Sequence, residues 1–368
     1  MQANTLSQPA AWFLQDYHAC RTDFLRRCDN QHLPHQQLQW NLTLPGETSS
    51  WSSDAIYFGN PSANKVLVII SGTHGVEGYC GSALQRFFLA ELAAQGTRLA
   101  EDKAVVMLHA LNPWGMDQAR RCDHQGIDLN RNFIDFNQTA IPHPDYEHVL
   151  ACMQLDSISR RQQLQQLQQQ WGQSYFDKVL SGGQYHINWA PFYGGQSPAH
   201  AQTVINELIA QWSLAGRELL VMDLHTGLGP WGYGELISDH PSGSNGNHFA
   251  RQLLGQSVAV TAEGGSFSVP KQGLLDYRWH QLMEDSGCFL TLEFGSYGTD
   301  ALFEVLLDDH DLWRRKWQLE GSVSSNEQAS IRQRMVEHFC PQDHLWQQSV
   351  LMRGWQLFHY LLDSNVWR

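Results

Sequence analysis

The chain has 368 residues, with 24 lysines and arginines against 37 aspartates and glutamates, and a formal net charge of −13. That balance argues against nucleic acid as a partner, because such binding rests on a basic patch. No apolar run approaches the roughly 20 residues that span a bilayer, so no membrane partner is expected either.

Residues 1–7 show no basic patch followed by an apolar stretch, so no signal peptide is read there. The seven cysteines form no C-x-x-C pair and have an odd total, which favours a reducing cytoplasm over a disulfide framework.

The first expected strand covers residues 65–71, a short β-branched apolar run of the kind that is buried on both faces. It gives out into Gly72-Thr73-His74-Gly75-Val76-Glu77-Gly78. His74 and Glu77 thereby stand outside the carboxyl end of a strand, where open α/β sheets hold ligands. A helix is expected over 82–94 and a strand over 104–109, in which His109 reads as a core histidine. Arg120, Arg121 and His124 follow, the last in an exposed loop, and then Asp128-Leu129-Asn130-Arg131-Asn132-Phe133. Arginine's planar fork matches a carboxylate, so Asn130 and Arg131 suggest recognition of an anionic substrate group.

A helical insertion is expected over about 140–200. Its Gln-rich run 162–171 spaces Leu164, Leu167 and Trp171 as one helix face, and its turn-rich stretch 189–198 can form a pocket wall or a lid. A helix over 199–212 precedes a strand over 218–224 that ends on His225. Residues 234–238 form a weaker strand candidate. The strand 289–294 carries Glu293 among apolar neighbours, where a carboxylate needs either a partner or a chemical task.

Beyond about 300 the chain reads as helical to 368. Ser325-x-x-Gln328 has the form of a capping box, and Asp343 can cap a helix whose Leu351, Trp355, Phe358 and Leu362 face the core. The alternation of strands and helices predicts a mostly parallel sheet covered on both faces. A boundary between Glu77 and His225 would divide the site, so residues 1–368 read as a single domain.

An imidazole nitrogen and a carboxylate oxygen three residues apart can reach one divalent cation, and zinc accepts both at about 2.0–2.2 Å. His225 is the best third ligand. Three protein ligands leave one tetrahedral position open, which distinguishes a catalytic zinc from a closed structural one.

The ordered set of His74-x-x-Glu77, Arg120 or Arg121, Asp128-x-Asn130-Arg131-Asn132-Phe133, His225 and Glu293 resembles the zinc carboxypeptidase and aspartoacylase/succinylglutamate desuccinylase superfamily. The likeness runs from about residue 65 to 298, and its wording is similar to a bacterial carboxypeptidase-like branch. It implies a three-layer α/β/α fold with a mixed, mostly parallel sheet. It implies one zinc held by His74, Glu77 and His225, with Glu293 as general base. Asn130 and Arg131 would bind the substrate's carboxylate, and Arg121, or else Arg120, would polarise the scissile carbonyl. Tyr277 or Tyr297 would stand for the substrate-binding tyrosine that many carboxypeptidases carry.

The expected activity is that of a zinc metallocarboxypeptidase hydrolysing an amide bond next to a carboxylate. A deacylase of N-acyl amino acids is the alternative. A zinc-binding module without turnover is a third reading, against which Glu293 counts, because a binder needs no base.

Overall fold

Every second residue of strand Lys65–Ser71 meets a different apolar layer, and this alternation organises the molecule. Leu67 and Ile69 join one core cluster, with Leu84 and Phe87, while Val66, Val68 and Ile70 join another, with Val204, Leu208 and Trp279. A strand buried on both faces therefore lies between two layers of helices.

The computed structural model describes residues 8–32, 34–96, 99–138, 143–283, 286–318, 323–363 and 367. Residues 1–7, in which no signal peptide is read, lie outside that set. The described strands are β1 (His35–Thr43), β2 (Ser50–Gly59), β3 (Lys65–Ser71), β4 (Lys103–His109), β5 (Glu218–Gly227), β6 (Gly234–Ser238), β7 (Val258–Val260) and β8 (Gly287–Gly295). They form one sheet in the order β1-β2-β4-β3-β5-β8-β6-β7. The central four, β4, β3, β5 and β8, run parallel to one another. β1, β2 and β4 pair antiparallel, as do β8 and β6, while β6 and β7 pair parallel. The sheet is mixed and flanked by helices, as the expected fold class requires.

Two strands escape an apolar-run reading. β1 is rich in glutamine and buries only Trp40, whereas β2 begins with small polar residues and owes its burial to β1 and β4 beside it. The helix expected over 82–94 begins earlier, at Gly78, so Glu77 stands directly before its first turn. The Gln-rich run is the helix Ser157–Trp171, capped by Asp156, and it is flanked by the helices Tyr146–Cys152 and Gln173–Ser181.

The N-cap of the helix Ser325–Phe339 is one residue earlier than expected. The hydroxyl of Ser324, not Ser325, accepts from the Glu327 amide. Asp343 does cap the helix His344–Leu362, accepting from the Trp346 amide at 2.9 Å. That helix docks on Gly78–Gln95 at Gly354, where an added Cβ would come within 2.4 Å of Leu84 Cδ2.

His109 is fully buried, stacks on Phe24 with ring centroids 4.7 Å apart, and has Nε2 at 2.9 Å from Ser82 Oγ. Burial, followed by the positive charges of Arg86 and Arg21, lowers its pKa to about 3. A depressed folded-state value contributes stability above the unfolded value near 6.5, and that stability is lost as pH falls toward 3. His109→Phe should therefore flatten the loss of urea stability between pH 6.5 and 4, by up to about 1.4 kcal/mol per pH unit. An unchanged pH slope would assign the acid sensitivity to the other buried histidines, His240, His280, His310 and His338.

Candidate metal centre and active-site cavity

β3 and β5 are neighbours in parallel register, so the loop leaving β3 and the end of β5 open at the same edge of the sheet. The β3 loop is held against residues 115–121. The Gly75 and Val76 amides donate to the Arg121 and Arg120 carbonyls, and a Cβ on Gly75 would lie 2.1 Å from the Gly115 carbonyl carbon. His225 lies within β5 itself, directly opposite Glu293 on β8. The three residues that sequence spacing selected thus meet.

The ligand-capable atoms of His74, Glu77 and His225 all lie within 4.8 Å of one another, and all three side chains are buried. His74 Nδ1 is 2.8 Å from Glu77 Oε1, His225 Nδ1 is 3.0 Å from Glu77 Oε2, and the two Nδ1 atoms are 3.1 Å apart. Behind them, His74 Nε2 faces Asp128 Oδ1 at 3.2 Å and His225 Nε2 faces Asp223 Oδ2 at 2.6 Å. Asp223 is held in turn by Thr73 Oγ1, and Asp128 by Arg121 Nε. An aspartate behind Nε2 assigns the ring proton to that nitrogen and leaves the Nδ1 lone pair facing the centre. Two such lone pairs and a carboxylate, converging this closely, fit a divalent cation.

Without an ion, the site's groups hold one another charged, and a cation binding there would displace the proton on His225 Nδ1. Burial works against charge on Glu77, yet His74 and His225 outweigh it and hold the carboxyl well below its usual range. Burial likewise opposes a charged His225, but Asp223 and Glu77 raise it well above the ordinary value. Asp128 is kept low against burial, by Arg121 first.

Glu293 is affected in the opposite direction. Burial, then the charge of Glu77, pushes it up to about 7, although the Leu228 amide donates to its Oε1 at 3.0 Å.

All seven expected site residues line one cavity, namely His74, Glu77, Arg121, Asn130, Arg131, His225 and Glu293. The cavity has a volume of about 80 Å³, room for on the order of six waters.

The two alternatives for the carbonyl-polarising arginine separate. Arg121 lines the cavity, with Nη1 3.2 Å from Glu77 Oε1. Arg120 points away, its Nε donating to both oxygens of Asp309 and its guanidinium lying 4.2 Å from the Trp313 ring centroid.

Neither tyrosine lines the cavity. The Tyr277 hydroxyl donates to the Lys271 carbonyl, and the Tyr297 hydroxyl donates to Glu337. The aromatic side chains in the wall are Phe192, Phe267 and Phe303. His124 is half-buried against Trp114 rather than fully exposed.

Asn130 and Arg131 are braced as well as displayed. The Asn130 carbonyl oxygen Oδ1 accepts from the Leu275 amide. Arg131, fully buried, donates from Nε and Nη2 to the Ser181 carbonyl and from Nη1 to the Asn130 carbonyl. Among the described residues it has no carboxylate within ion-pair distance.

Among the residues at this site not singled out from sequence, three bear directly on the groups already described. Asp128 stands first in the Asp-Leu-Asn-Arg-Asn-Phe run, and Asp223 lies two residues before His225, the spacing that puts strand neighbours on one face. Both carried a legible signal. The third, Lys271, lies in the loop that follows Val269 and carried none. Burial, then the nearby Arg131, lowers its ammonium to about 8.

The profile of a family described as "Protein of unknown function (DUF2817)" matches residues 13–353. No curated protein matches the chain. Among solved structures, a carboxypeptidase A from Helicoverpa armigera is 14% identical, with 87% of this chain and 73% of that one covered and a TM-score of 0.49. Bovine thrombin-activatable fibrinolysis inhibitor, in complex with a tick carboxypeptidase inhibitor, is 12% identical over 88% and 96%, with a TM-score of 0.48. Murein-tripeptide amidase MpaA from Escherichia coli O157 is 17% identical over 77% and 94%, with a TM-score of 0.37.

Proposed function

We propose that this chain, which belongs to the DUF2817 family within the zinc carboxypeptidase and aspartoacylase/succinylglutamate desuccinylase superfamily, is a zinc-dependent hydrolase of amide bonds next to a substrate carboxylate. The observation that carries this reading is the pair of imidazoles, each held at Nε2 by an aspartate, whose Nδ1 atoms meet the Glu77 carboxylate. His74, Glu77 and His225 would hold one zinc ion. Zinc bound there would supply a Lewis acid for the scissile carbonyl and for water.

The protein's own groups then divide the remaining work. With Oε1 anchored by Leu228, Glu293 presents Oε2 to take a proton from water and later return it to the leaving nitrogen. A carboxyl raised toward neutrality suits both transfers. Arg121 keeps Glu77 and Asp128 in place, and its unspent donors face the developing oxyanion. Asn130 and Arg131 orient the substrate through its carboxylate.

A cavity of this size fits one amino-acid residue, whether the last residue of a peptide or the amino acid of a small N-acyl compound. Carboxypeptidase action is the first reading and N-acyl amino acid deacylation the second. All seven cysteines are unpaired and buried, which supports action in a reducing compartment such as the cytoplasm.

The test is release of free amine from C-terminally free peptides and N-acyl amino acids, with zinc-loaded and chelated protein compared. Zinc-dependent amine release is expected. No release from any free-acid substrate would overturn the reading.

A sharper result is expected for Arg131→Lys. A lysine offers a point charge where the arginine offers a planar fork, so the preference for a free-acid substrate over its amide should fall by roughly 10- to 100-fold. Loss of the Ser181 contacts should also lower Tm. Equal loss on acid and amide would leave Arg131 a bracing residue only.

A further inference from the structure

Between the helices Ser157–Trp171, Gln173–Ser181 and Thr299–Trp313 lies a second cavity. It has a volume of about 110 Å³, and its apolar lining is Leu164, Phe176, Leu180, Phe303 and Leu307. Phe303 lines the active-site cavity as well. The two helices that form the partition each turn one face to either side. In Gln173–Ser181, Asp177 and Ser181 line the active site while Phe176 and Leu180 line the second cavity. In Thr299–Trp313, Leu302 and Leu306 line the active site while Leu307 lines the second cavity.

The charges around the second cavity are matched to one another. Arg160 pairs with Asp308 and Arg161 with Glu304, both across the helices Ser157–Trp171 and Thr299–Trp313. Gln168 donates to Asp300 at 3.1 Å. What remains for a ligand is apolar surface, which suits an alkyl or aryl group.

Phe303 meets Phe192 on the active-site side and Phe176 on the other, edge to face, with ring centroids 6.3 Å apart in both pairs. That spacing is near the long end for aromatic pairs. A helical phenylalanine has two open χ1 wells, so the ring can leave the boundary. The Phe192 centroid lies 5.4 Å from the Arg121 guanidinium carbon and 5.6 Å from that of Arg131. The entrance to the second cavity thus stands beside the groups assigned to the carbonyl and the carboxylate.

A substrate residue held by its carboxylate fills the active-site cavity, whose volume suits one residue. The group on the other side of the scissile carbonyl then needs room of its own. We infer that the cavity behind Phe303 receives this acyl-side group and that the group is apolar, either the alkyl chain of an N-acyl amino acid or the side chain of a peptide's penultimate residue. The inference rests on the hydrolase reading above, to which it adds a specificity-determining residue, Phe303, and a substrate class.

Two probe series distinguish the sources of the apolar group. One is N-acetyl-, N-butanoyl- and N-hexanoylalanine, and the other is acetyl-glycyl-alanine beside acetyl-leucyl-alanine. In the wild-type protein kcat/KM should rise roughly 4-fold per methylene along the acyl series, or roughly 10-fold or more from glycine to leucine, as burial of apolar groups requires. A rise confined to one series identifies the source. Leu307→Trp and Leu164→Trp fill the second cavity from residues that do not line the active site. Each should bring the ratio of the largest to the smallest probe toward unity and leave turnover of N-acetylalanine close to wild type. Leu164 is less deeply buried than Leu307, at 9% against 2% exposure, so its variant stands if overpacking unfolds the other. Flat wild-type ratios in both series, ratios that the variants leave unchanged, or an equal loss on every probe would each overturn the inference.

Binding separates this failure from failure of the hydrolase reading. In calorimetry, zinc-loaded Glu293→Gln should prefer N-hexanoylalanine to N-acetylalanine and lose that preference when Leu307→Trp or Leu164→Trp is added. Amine release without a chain-length preference rejects the second cavity and keeps hydrolysis. Preferential binding by a wild-type protein that releases no amine keeps the second cavity and rejects hydrolysis.

Discussion

Glu293→Gln should reduce kcat by roughly 10²- to 10⁴-fold, the range contributed by a positioned acid–base group, while zinc content, far-UV circular dichroism and Tm stay close to wild type. Glutamine keeps an oxygen that can accept from the Leu228 amide, so the local backbone has no reason to move. It cannot take a proton from water. The acid it replaces is buried, sits opposite His225 in the register of β5 and β8, and is raised to about 7 by burial and the charge of Glu77. The check is steady-state amine release at saturating substrate, with bound metal measured on the same preparation.

Wild-type-like turnover would move the base elsewhere. Glu235, which pairs with Glu293 across β6 and β8, is an unsuitable substitute, because its carboxylate accepts from Ser266 and Phe267. Asp239, which lines the cavity, would be the next acid to test.

The second large effect concerns the metal. His74→Ala and His225→Ala should each leave the purified protein without stoichiometric zinc. Each change removes one of three donors and leaves the other imidazole and Glu77 unable to close the site. Asp223→Asn should be milder, because it leaves all three donors but weakens the hold on the His225 ring. A loss of 10- to 100-fold in zinc affinity is the usual scale for such a partner. Competition against a zinc chelator reads both effects. Full zinc content in both histidine variants would sink the ligand assignment. Equal affinity in Asp223→Asn and wild type would show that the 2.6 Å contact does not orient the ring.

The central sheet was legible because its strands are strong local signals. β3, β4, β5 and β8 are apolar nearly throughout, and a run buried on both faces needs no partner to reveal it. The edge pair β1 and β2 was not legible. Their polar residues form strands because each strand satisfies the other's backbone and β4 satisfies the second, a pairing that no local window contains. The Ser324 cap shows the same limit on a smaller scale. Ser324 and Ser325 both precede acceptable helix starts, and only the geometry of the turn selects one of them.

By itself the sequence determined the chemical inventory and the order of its parts: His74, Glu77, His225 and Glu293 stood at strand ends or within strands, where a parallel sheet collects functional groups at one edge. It could also indicate that Asn130 and Arg131 belonged with them. It could not choose between Arg120 and Arg121, which are adjacent residues of the same type. The tertiary structure decided that, because Asp309 and Trp313, from a helix nearly 190 residues away, draw Arg120 out while Glu77 and Asp128 draw Arg121 in. Nor could the sequence place Lys271, since a lysine in a polar loop is ordinarily solvated. Only the fold of that loop brings it to the cavity wall, where its ammonium reaches the Val269 carbonyl.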